Sequence, residues 1–274
     1  GTGKTMLAKA FRHLLPPLDH EDALEVTGIH SIAGTLDRPF ITTPPFRSPH
    51  HTASYVSIIG GSSKPKPGEV TLAHKGVLFM DEFPEFDKVV LESLRQPIED
   101  RVVHIARAQG SATFPTDFIL IAAMNPPPPE ATAVERARHK KKISGPIMDR
   151  IDMWFPVEHI SYEKLSHATH PSAESSRIVR ERVVLARKRQ RARFAAWNRP
   201  IKVNSRMNVQ DIDRLVITDS VKAILNTSAK RLDLSPRSYH RMIKLARTIA
   251  DLAGANDIED AHMLEALQYR SRSE

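Results

Sequence analysis

Cysteine is absent from this 274-residue chain, and aromatic side chains make up only 6% of it. The lack of cysteine excludes disulfides, thiol nucleophiles and cysteine-ligated metal sites. Apolar runs are short as well, and none approaches the roughly 20 residues that a membrane span requires. The first residues also lack the basic-then-apolar pattern of a secretory signal. We therefore expect a cytoplasmic protein without a membrane partner, built from about two domains of roughly 150 residues each.

Charge is unevenly spread along the chain. The net charge is +8, from 40 basic and 32 acidic residues. Residues 1–157 contain 18 of each sign, whereas residues 158–274 contain 22 basic and 14 acidic residues. A basic segment beside a neutral one favours a polyanionic partner, usually nucleic acid. A solvated basic surface explains the same charge equally well.

The first residues read Gly1-Thr2-Gly3-Lys4-Thr5, followed by a predicted helix from Met6 to Leu15. Gly3, Lys4 and Thr5 fit the last three positions of the phosphate-binding pattern G-x-x-x-x-G-K-[ST]. In such a loop, backbone N–H groups surround the phosphates, and glycine lets the chain approach them closely. Lys4 is expected to reach the β- and γ-phosphates, and the Thr5 hydroxyl to hold Mg²⁺. Because the pattern starts upstream of residue 1, we expect a fragment of a longer protein that lacks the first strand of the sheet.

A second motif runs from Val77 to Glu82. Its four apolar residues, Val77 to Met80, predict a strand buried on both faces, as in a parallel sheet. Strand alternation would place the next two carboxylates, Asp81 and Glu82, on opposite faces. Asp81 is then expected to bind Mg²⁺, and Glu82 to activate the attacking water as general base. A solvated acidic turn is the weaker alternative, given the upstream Gly-Lys-Thr.

Another apolar strand is predicted from Phe118 to Ala123, and Asn125 follows it. An amide at the tip of a buried strand, beside the carboxylates, can orient the attacking water. A turn-forming Asn before Pro126 is the structural alternative. The order of the three motifs favours the catalytic interpretation.

Two insertions are predicted around these strands. Residues 102–106 and 111–114 have strand-like composition on either side of a turn at residues 107–110, which predicts a hairpin. A longer insertion spans Ser31 to His74 and contains His50, His51 and Arg47. These side chains suggest a metal or anion site only weakly, because a histidine pair in a proline-rich stretch is more often structural.

Arg150 lies within the segment GPIMDRID, Gly145 to Asp152. One interpretation is a local ion pair with Asp149 or Asp152. The other is an arginine finger that reaches the γ-phosphate held by a neighbouring subunit. The residues alone leave both open.

The second half of the chain is predicted to be helical. A helix is predicted over residues 174–194, and from Arg177 to Arg193 it carries eight basic residues against one acidic residue, Glu181, a composition that most often means a solvated face. Further helices are predicted to begin at Asp219, Ser235-Pro236 and Asp257. In the helix after Ser235, Arg237 and Arg241 share a face, and Arg237 lies near the helix start, where it can contact nucleotide.

The ordered motifs resemble those of magnesium-chelatase-like AAA+ ATPases that carry a hairpin before the sensor strand. The longer stretches PPFRSPHHT, KISGPIMDRID and LSPRSYHRMIKLARTIADL narrow the resemblance to the ComM/YifB family, over nearly the whole chain. The implied fold is α/β, with an AAA+ P-loop core on a parallel sheet at residues 1–158 and an α-helical lid at residues 159–274. The implied activity is that of an ATP- and Mg²⁺-dependent hexameric motor on DNA, linked to branch migration in natural transformation.

The resemblance also implies roles, residue by residue. Lys4 and Thr5 match Walker A, Asp81 and Glu82 match Walker B, Asn125 matches sensor 1, Arg150 matches the arginine finger and Arg237 matches sensor 2. Arg241 fits the sensor 2 position as well. The expected nucleotide-binding residues are Gly1, Thr2, Gly3, Lys4, Thr5, Met6 and Arg237. The expected metal ligands are Thr5 and Asp81, and the expected catalytic residues are Glu82, Asn125 and Arg150.

One stretch departs from the family pattern. Family members often carry a cysteine-rich segment after the sensor Asn, whereas prolines occupy residues 126–129 here. Any metal site at that place is therefore lost, and the family's Lon-protease-like N-terminal domain is expected to be absent from this fragment. The main rival function is that of a chelatase-type or MoxR-like chaperone motor that remodels a protein.

Overall fold

The computed structural model describes residues 3–61, 65–107, 110–127, 130–132, 134–135, 142–157 and 174–270, without the side chain of Arg107. These residues form two compact units. The first comprises the chain up to Arg150 together with Val157, and the second comprises Ile151–Pro156 and residues 174–270. None of the helices in these ranges combines the length and apolarity needed to cross a lipid bilayer.

The first unit is built on a parallel sheet of three strands, in the order β1 (Phe46–Arg47), β2 (Val77–Met80) and β5 (Ile119–Ala122). All four residues of the central strand β2 are fully buried. The two faces of β2 pack differently: Leu78 and Met80 join the larger core, whereas Val77 and Phe79 pack with residues of the first helix. The predicted strand with two buried faces in a parallel sheet is confirmed.

Strand β1 corrects the interpretation of Ser31 to His74 as an insertion, because Phe46 and Arg47 belong to the central sheet. Its approach to β2 depends on Gly76. A Cβ atom at Gly76 would lie 2.0 Å from the Pro45 carbonyl oxygen, so only glycine fits there. The same carbonyl accepts a hydrogen bond from the Val77 N–H at 2.8 Å.

The helices of the first unit surround this sheet. They are α1 (Lys4–Phe11), α2 (His20–Ala33), α3 (Tyr55–Ile59), α4 (Glu69–Leu72), α5 (Lys88–Ser93), α6 (Arg95–Asp100) and α7 (Gly145–Met148). Helix α1 begins two residues earlier than predicted and continues as a 3₁₀ turn over Arg12–Leu14. Its buried Ala8 packs in the cluster that contains Val77 and Phe79, and Thr5 in its first turn contacts Asp81, directly after β2.

The predicted hairpin is confirmed. Strands β3 (Val102–Arg107) and β4 (Gly110–Pro115) pair antiparallel, with Val102 opposite Pro115 and Arg107 opposite Gly110. Residues 108–109, at its tip, lie outside the described residues. Val103 and Ile105 point into the core of the first unit. Arg101 pairs with Asp117 at 3.6 Å across the base of the hairpin.

The second unit is helical, as predicted. Its helices are α8 (Ser176–Ala196), α9 (Val209–Asp213), α10 (Asp219–Arg231), α11 (Pro236–Ala253) and α12 (Asp260–Gln268). The side chain of Ser235 caps α11 by accepting a hydrogen bond from the Ser238 N–H, and α10 begins at Asp219. The prediction of a helix start at Asp257 was wrong. Ile258 is extended and bridges to Ile217 in the core, so α12 begins only at Asp260.

A buried polar cluster in the second unit was not predicted. The Asp251 carboxylate, which is fully buried, accepts hydrogen bonds from Arg193 and, at 2.8 Å, from Asn204. Arg247, only 2% exposed, pairs with the same carboxylate at 3.0 Å. Burial lowers the pKa of Arg247 from its usual value. The guanidinium also donates to the carbonyls of Ala255 and Asn256, and the cluster thereby fixes the chain that follows α11.

Removing the central anion of this cluster is expected to be strongly destabilising. Asp251→Ala leaves two guanidinium groups facing each other without their shared partner. We expect the free energy of unfolding to fall by about 3–5 kcal/mol, the usual cost of breaking a buried ion pair. Both tryptophans, Trp154 and Trp197, lie in the second unit, so urea unfolding followed by tryptophan fluorescence reports on it. Asp219→Ala, at a fully exposed carboxylate, is the matched control, and an equal effect of both changes would contradict the prediction.

Candidate active site

Polar side chains follow each strand of the parallel sheet. His50 and His51 come after β1, Asp81 and Glu82 come directly after β2, and Asn125 comes after β5. Because the carboxyl ends of parallel strands share one edge, these residues lie along the same side of the first unit. This edge of an α/β sheet is the usual place for a ligand site.

The start of α1 meets this edge. Lys4 Nζ donates to Asn125 Oδ1 at 2.6 Å, and Thr5 Oγ1 donates to Asp81 Oδ2 at 2.6 Å. The structure therefore brings together motifs that are 121 and 76 residues apart in sequence. Gly3 precedes the helix in the left-handed conformation, with φ 77°, and no side chain caps the first turn.

Backbone N–H groups at such a helix start favour an anion. Gly1 and Thr2, which were predicted to continue the loop, lie outside the described residues. Met6, also predicted to bind nucleotide, has an exposed side chain in the first turn of α1. The described part of the loop thus combines a helix N-terminus, an ammonium group and a hydroxyl.

The two carboxylates are separated by a turn and not by strand alternation, which corrects the prediction. Strand β2 ends at Met80, and Glu82 adopts the left-handed conformation, with φ 52°. The Glu82 N–H donates to Asp81 Oδ1 at 3.0 Å, and the Phe83 N–H donates to the Ala123 carbonyl at 2.9 Å. A left-handed residue other than glycine is costly and concentrates at functional sites.

The oxygen atoms at this edge fit Mg²⁺. This ion prefers hard oxygen ligands, with one or two carboxylates completed by water or phosphate. The Thr5 hydroxyl and the Asp81 carboxylate already lie within hydrogen-bonding distance of each other. In the ranges that the structure describes, no group of three or more His, Asp or Glu side chains forms a self-contained metal site. The donor set therefore suits a cation shared with a phosphate ligand.

Glu82 has a partner that the sequence did not indicate. Its Oε2 lies 3.0 Å from His51 Nδ1, while about half of the Glu82 side chain is exposed. From the sequence, His50, His51 and Arg47 together were a weak candidate for a metal or anion site. The structure separates Arg47 from the histidines, because its guanidinium makes two hydrogen bonds with Glu69, of 2.6 and 2.7 Å.

Arg150 has a partner distant in sequence. Its Nε donates to Glu99 Oε2 at 3.0 Å, and a terminal nitrogen donates to the Pro146 carbonyl at 2.7 Å. The predicted local partners were Asp149 and Asp152, whereas the observed partner lies at the end of α6. The Arg150 side chain is only 12% exposed in this arrangement.

The two arginines of α11 differ in their surroundings. Arg241 is 13% exposed, pairs with Asp152 at 2.8 Å and donates to the Ile151 carbonyl at 3.0 Å. These contacts hold Ile151 and Asp152 within the second unit. Arg237 lies one turn earlier, in the first turn of α11.

Comparison with known families gives two matches that together cover most of the chain. Residues 1–165 match the family described as magnesium chelatase, subunit ChlI. Residues 173–270 match the family described as magnesium chelatase, subunit ChlI C-terminal. The first match contains the sheet edge with Lys4, Thr5, Asp81, Glu82 and Asn125.

Individual relatives agree with these matches. The competence protein ComM of Haemophilus influenzae is 39% identical over 281 residues, covering 99% of this chain and 54% of ComM. YifB of Salmonella typhimurium is 40% identical, with 99% of this chain and 54% of YifB covered. The DNA replication licensing factor Mcm6 of Drosophila melanogaster is 25% identical over 75% of this chain and 26% of its own length. This chain, which spans about half the length of ComM and YifB, belongs to the ComM/YifB family of magnesium-chelatase-like AAA+ proteins.

Proposed function

We propose that this chain binds and hydrolyses ATP as part of a homo-oligomeric AAA+ motor that acts on DNA. One observation carries the ATPase part of the proposal: Lys4 and Thr5 meet Asn125 and Asp81 at the carboxyl edge of the sheet. A chance Gly-Lys-Thr would not be expected to meet an acidic strand end and a polar strand end together. Family membership supports the same conclusion.

Each side chain at this edge has a distinct role in the proposal. Lys4 and the N–H groups at the start of α1 bind the β- and γ-phosphates. Thr5 and Asp81 would hold Mg²⁺, which when bound neutralises charge on the phosphates. Glu82 accepts a proton from the attacking water, and the Asn125 amide orients that water. The Lys4 ammonium has three N–H donors, so it can donate to a phosphate as well as to Asn125.

Two arginines complete the proposed site. We assign Arg150 to the γ-phosphate of a neighbouring subunit and Arg237 to nucleotide, within a hexamer. The contacts of Arg241 with Ile151 and Asp152 favour Arg237 as the sensor 2 residue. The proposed division is an ATPase core at residues 1–158 and a helical lid at residues 159–274.

DNA is the proposed substrate because ComM is a competence protein and Mcm6 is a DNA replication factor, as their names state. Two basic surfaces of this chain are candidates for the contact. The hairpin β3–β4 carries Arg101, His104 and Arg107 without an acidic residue from 101 to 114. The basic face of α8 carries exposed side chains at Lys188, Arg189 and Arg191, whereas Arg193 is committed to Asp251.

The decisive experiment is the ATPase rate of the full-length protein with and without DNA at several salt concentrations. We expect DNA to stimulate turnover and its affinity to fall steeply with salt, by roughly 0.7–0.9 in log–log slope for each phosphate contact. If DNA neither binds in a salt-dependent way nor stimulates turnover, the protein-remodelling motor replaces this proposal.

The two basic surfaces are expected to respond differently to substitution. Arg107→Ala should reduce DNA-stimulated turnover more than DNA affinity, because contacts made by a motor hairpin are coupled to hydrolysis. Reversing Lys188, Arg189 and Arg191 to Glu should do the opposite and reduce the salt slope by about 2–3. Lys222→Glu on α10 is the control for reversing an exposed cation elsewhere in the second unit. The assignment fails if Arg107→Ala and the triple reversal change affinity and turnover in the same proportion.

A further inference from the structure

The carboxylate assigned as general base is held by a histidine from a different part of the sheet. His51 Nδ1 lies 3.0 Å from Glu82 Oε2. The two residues are 31 positions apart in sequence, and they meet because β1 and β2 are parallel neighbours. About half of the Glu82 side chain faces solvent, so packing alone does not fix its rotamer.

The loop that carries His51 is itself well ordered by contacts. The Ala53 N–H donates to the His50 carbonyl at 2.9 Å, and His50 Nδ1 lies 2.9 Å from the Thr52 hydroxyl. The rings of His50 and His51 lie against each other with centroids 4.1 Å apart and planes tilted by 34°. The edge of Phe86, a core residue, meets the His51 ring at 6.5 Å. The imidazole is thus held from two sides.

The contact engages one of the two oxygens of the Glu82 carboxylate. An imidazole N–H is a donor and an ionised carboxylate only accepts, so the two groups are chemically matched at this distance. One carboxylate oxygen, Oε2, is occupied by this contact, which leaves Oε1 to accept a proton from water. The left-handed backbone of Glu82 and the bond between its N–H and Asp81 restrain the other end of the residue.

We propose that His51 is a positioning residue that orients the Glu82 carboxylate for water activation, an inference that rests on the proposed ATPase function. His51 does not touch the reacting atoms; it acts through Glu82. Small misplacements of a catalytic group lower the rate of the chemical step and leave substrate binding largely unchanged. The signature of such a role is therefore a change in kcat without a change in the KM for ATP.

The test compares His51→Leu with His51→Asn in the full-length protein. Leucine removes the donor, whereas the Asn amide nitrogen occupies nearly the position of Nδ1. We expect His51→Leu to lower kcat about 10- to 100-fold with the KM for ATP unchanged, and His51→Asn to restore most of the loss. His20→Leu, at a first-unit histidine whose ring contacts Phe40, is the matched control and should retain wild-type turnover.

A double variant separates positioning from general damage to the fold. In the Glu82→Gln background, His51→Leu should cause no further loss, because the group that it orients is already disabled. Wild-type kcat in His51→Leu, an equal loss in His51→Asn, or additive losses in the double variant would each overturn the role of His51. Normal turnover in Glu82→Gln would instead overturn the proposed function, so the two failures are distinguishable.

Discussion

Glu82→Gln should abolish nearly all ATP turnover while ATP still binds. A general base contributes roughly 10²–10⁴-fold, so a loss of that size in kcat is expected. Glutamine has the shape of glutamate, and its amide oxygen can still lie against His51. The left-handed turn and the contact between Thr5 and Asp81 need not change, so phosphate binding should persist.

Two measurements on the full-length protein check this expectation. Phosphate release gives kcat, and calorimetric titration gives the ATP affinity. Glu85→Gln is the matched control, because Glu85 lies three residues further on and pairs with Lys142 at the surface, at 2.7 Å. Turnover within a few-fold of wild type in Glu82→Gln would exclude the assignment, since general-base losses are about 100-fold or more.

The parts of this site that sequence predicts are those with a strong local pattern. The apolar run of β2 predicts a buried strand, and the end of that run marks Asp81 and Glu82 as candidate site residues. Parallel pairing then requires the ends of β2 and β5 to meet at one edge. The contacts of Lys4 with Asn125 and of Thr5 with Asp81 place the start of α1 at the same edge.

The parts that sequence missed depend on long-range contacts. Strand β1 has two residues, too few for any periodicity, and its pairing depends on the absence of a side chain at Gly76. His51 reaches Glu82 only because β1 joins the sheet. Strand alternation failed at Glu82 because the strand ends two residues earlier, and a left-handed glutamate has no local sequence signal.

In the second unit, helix spacing likewise missed a feature that depends on long-range contacts. Arg247 and Asp251 are four residues apart on α11, a spacing that usually means a surface ion pair. Both are instead buried, because Arg193 and Asn204 from other segments complete the pair. A charge pattern on one helix therefore does not reveal which face is covered.

Arg150→Ala is expected to lower turnover as severely as Glu82→Gln, for a different reason. An arginine that stabilises charge on the transferred phosphoryl group contributes roughly 10³–10⁵-fold. In this structure the Arg150 guanidinium is held by Glu99 and by the Pro146 carbonyl. Contact with a neighbour's nucleotide therefore requires release from Glu99, or reorientation on it.

Mixing subunits distinguishes this role from a local ion pair. In the proposed head-to-tail ring, each site would pair Glu82 of one subunit with Arg150 of the next. Neither Arg150→Ala nor Glu82→Gln rings contain a complete site. Random mixing in equal amounts restores both residues at about one quarter of the interfaces, so turnover should rise well above that of either variant alone.

Glu99→Gln tests the ion pair separately, because it removes the partner of Arg150 and keeps the guanidinium. If the ion pair with Glu99 were the whole function of Arg150, removing either partner should have the same effect, and no mixing ratio would restore turnover. If Arg150 acts across the interface, Glu99→Gln should retain substantial turnover, because the guanidinium survives. If Arg150 is the finger, Arg150→Lys should remain defective, because an ammonium group cannot donate two parallel hydrogen bonds to a phosphate. Rescue on mixing together with an active Glu99→Gln variant is the outcome that establishes Arg150 as the finger.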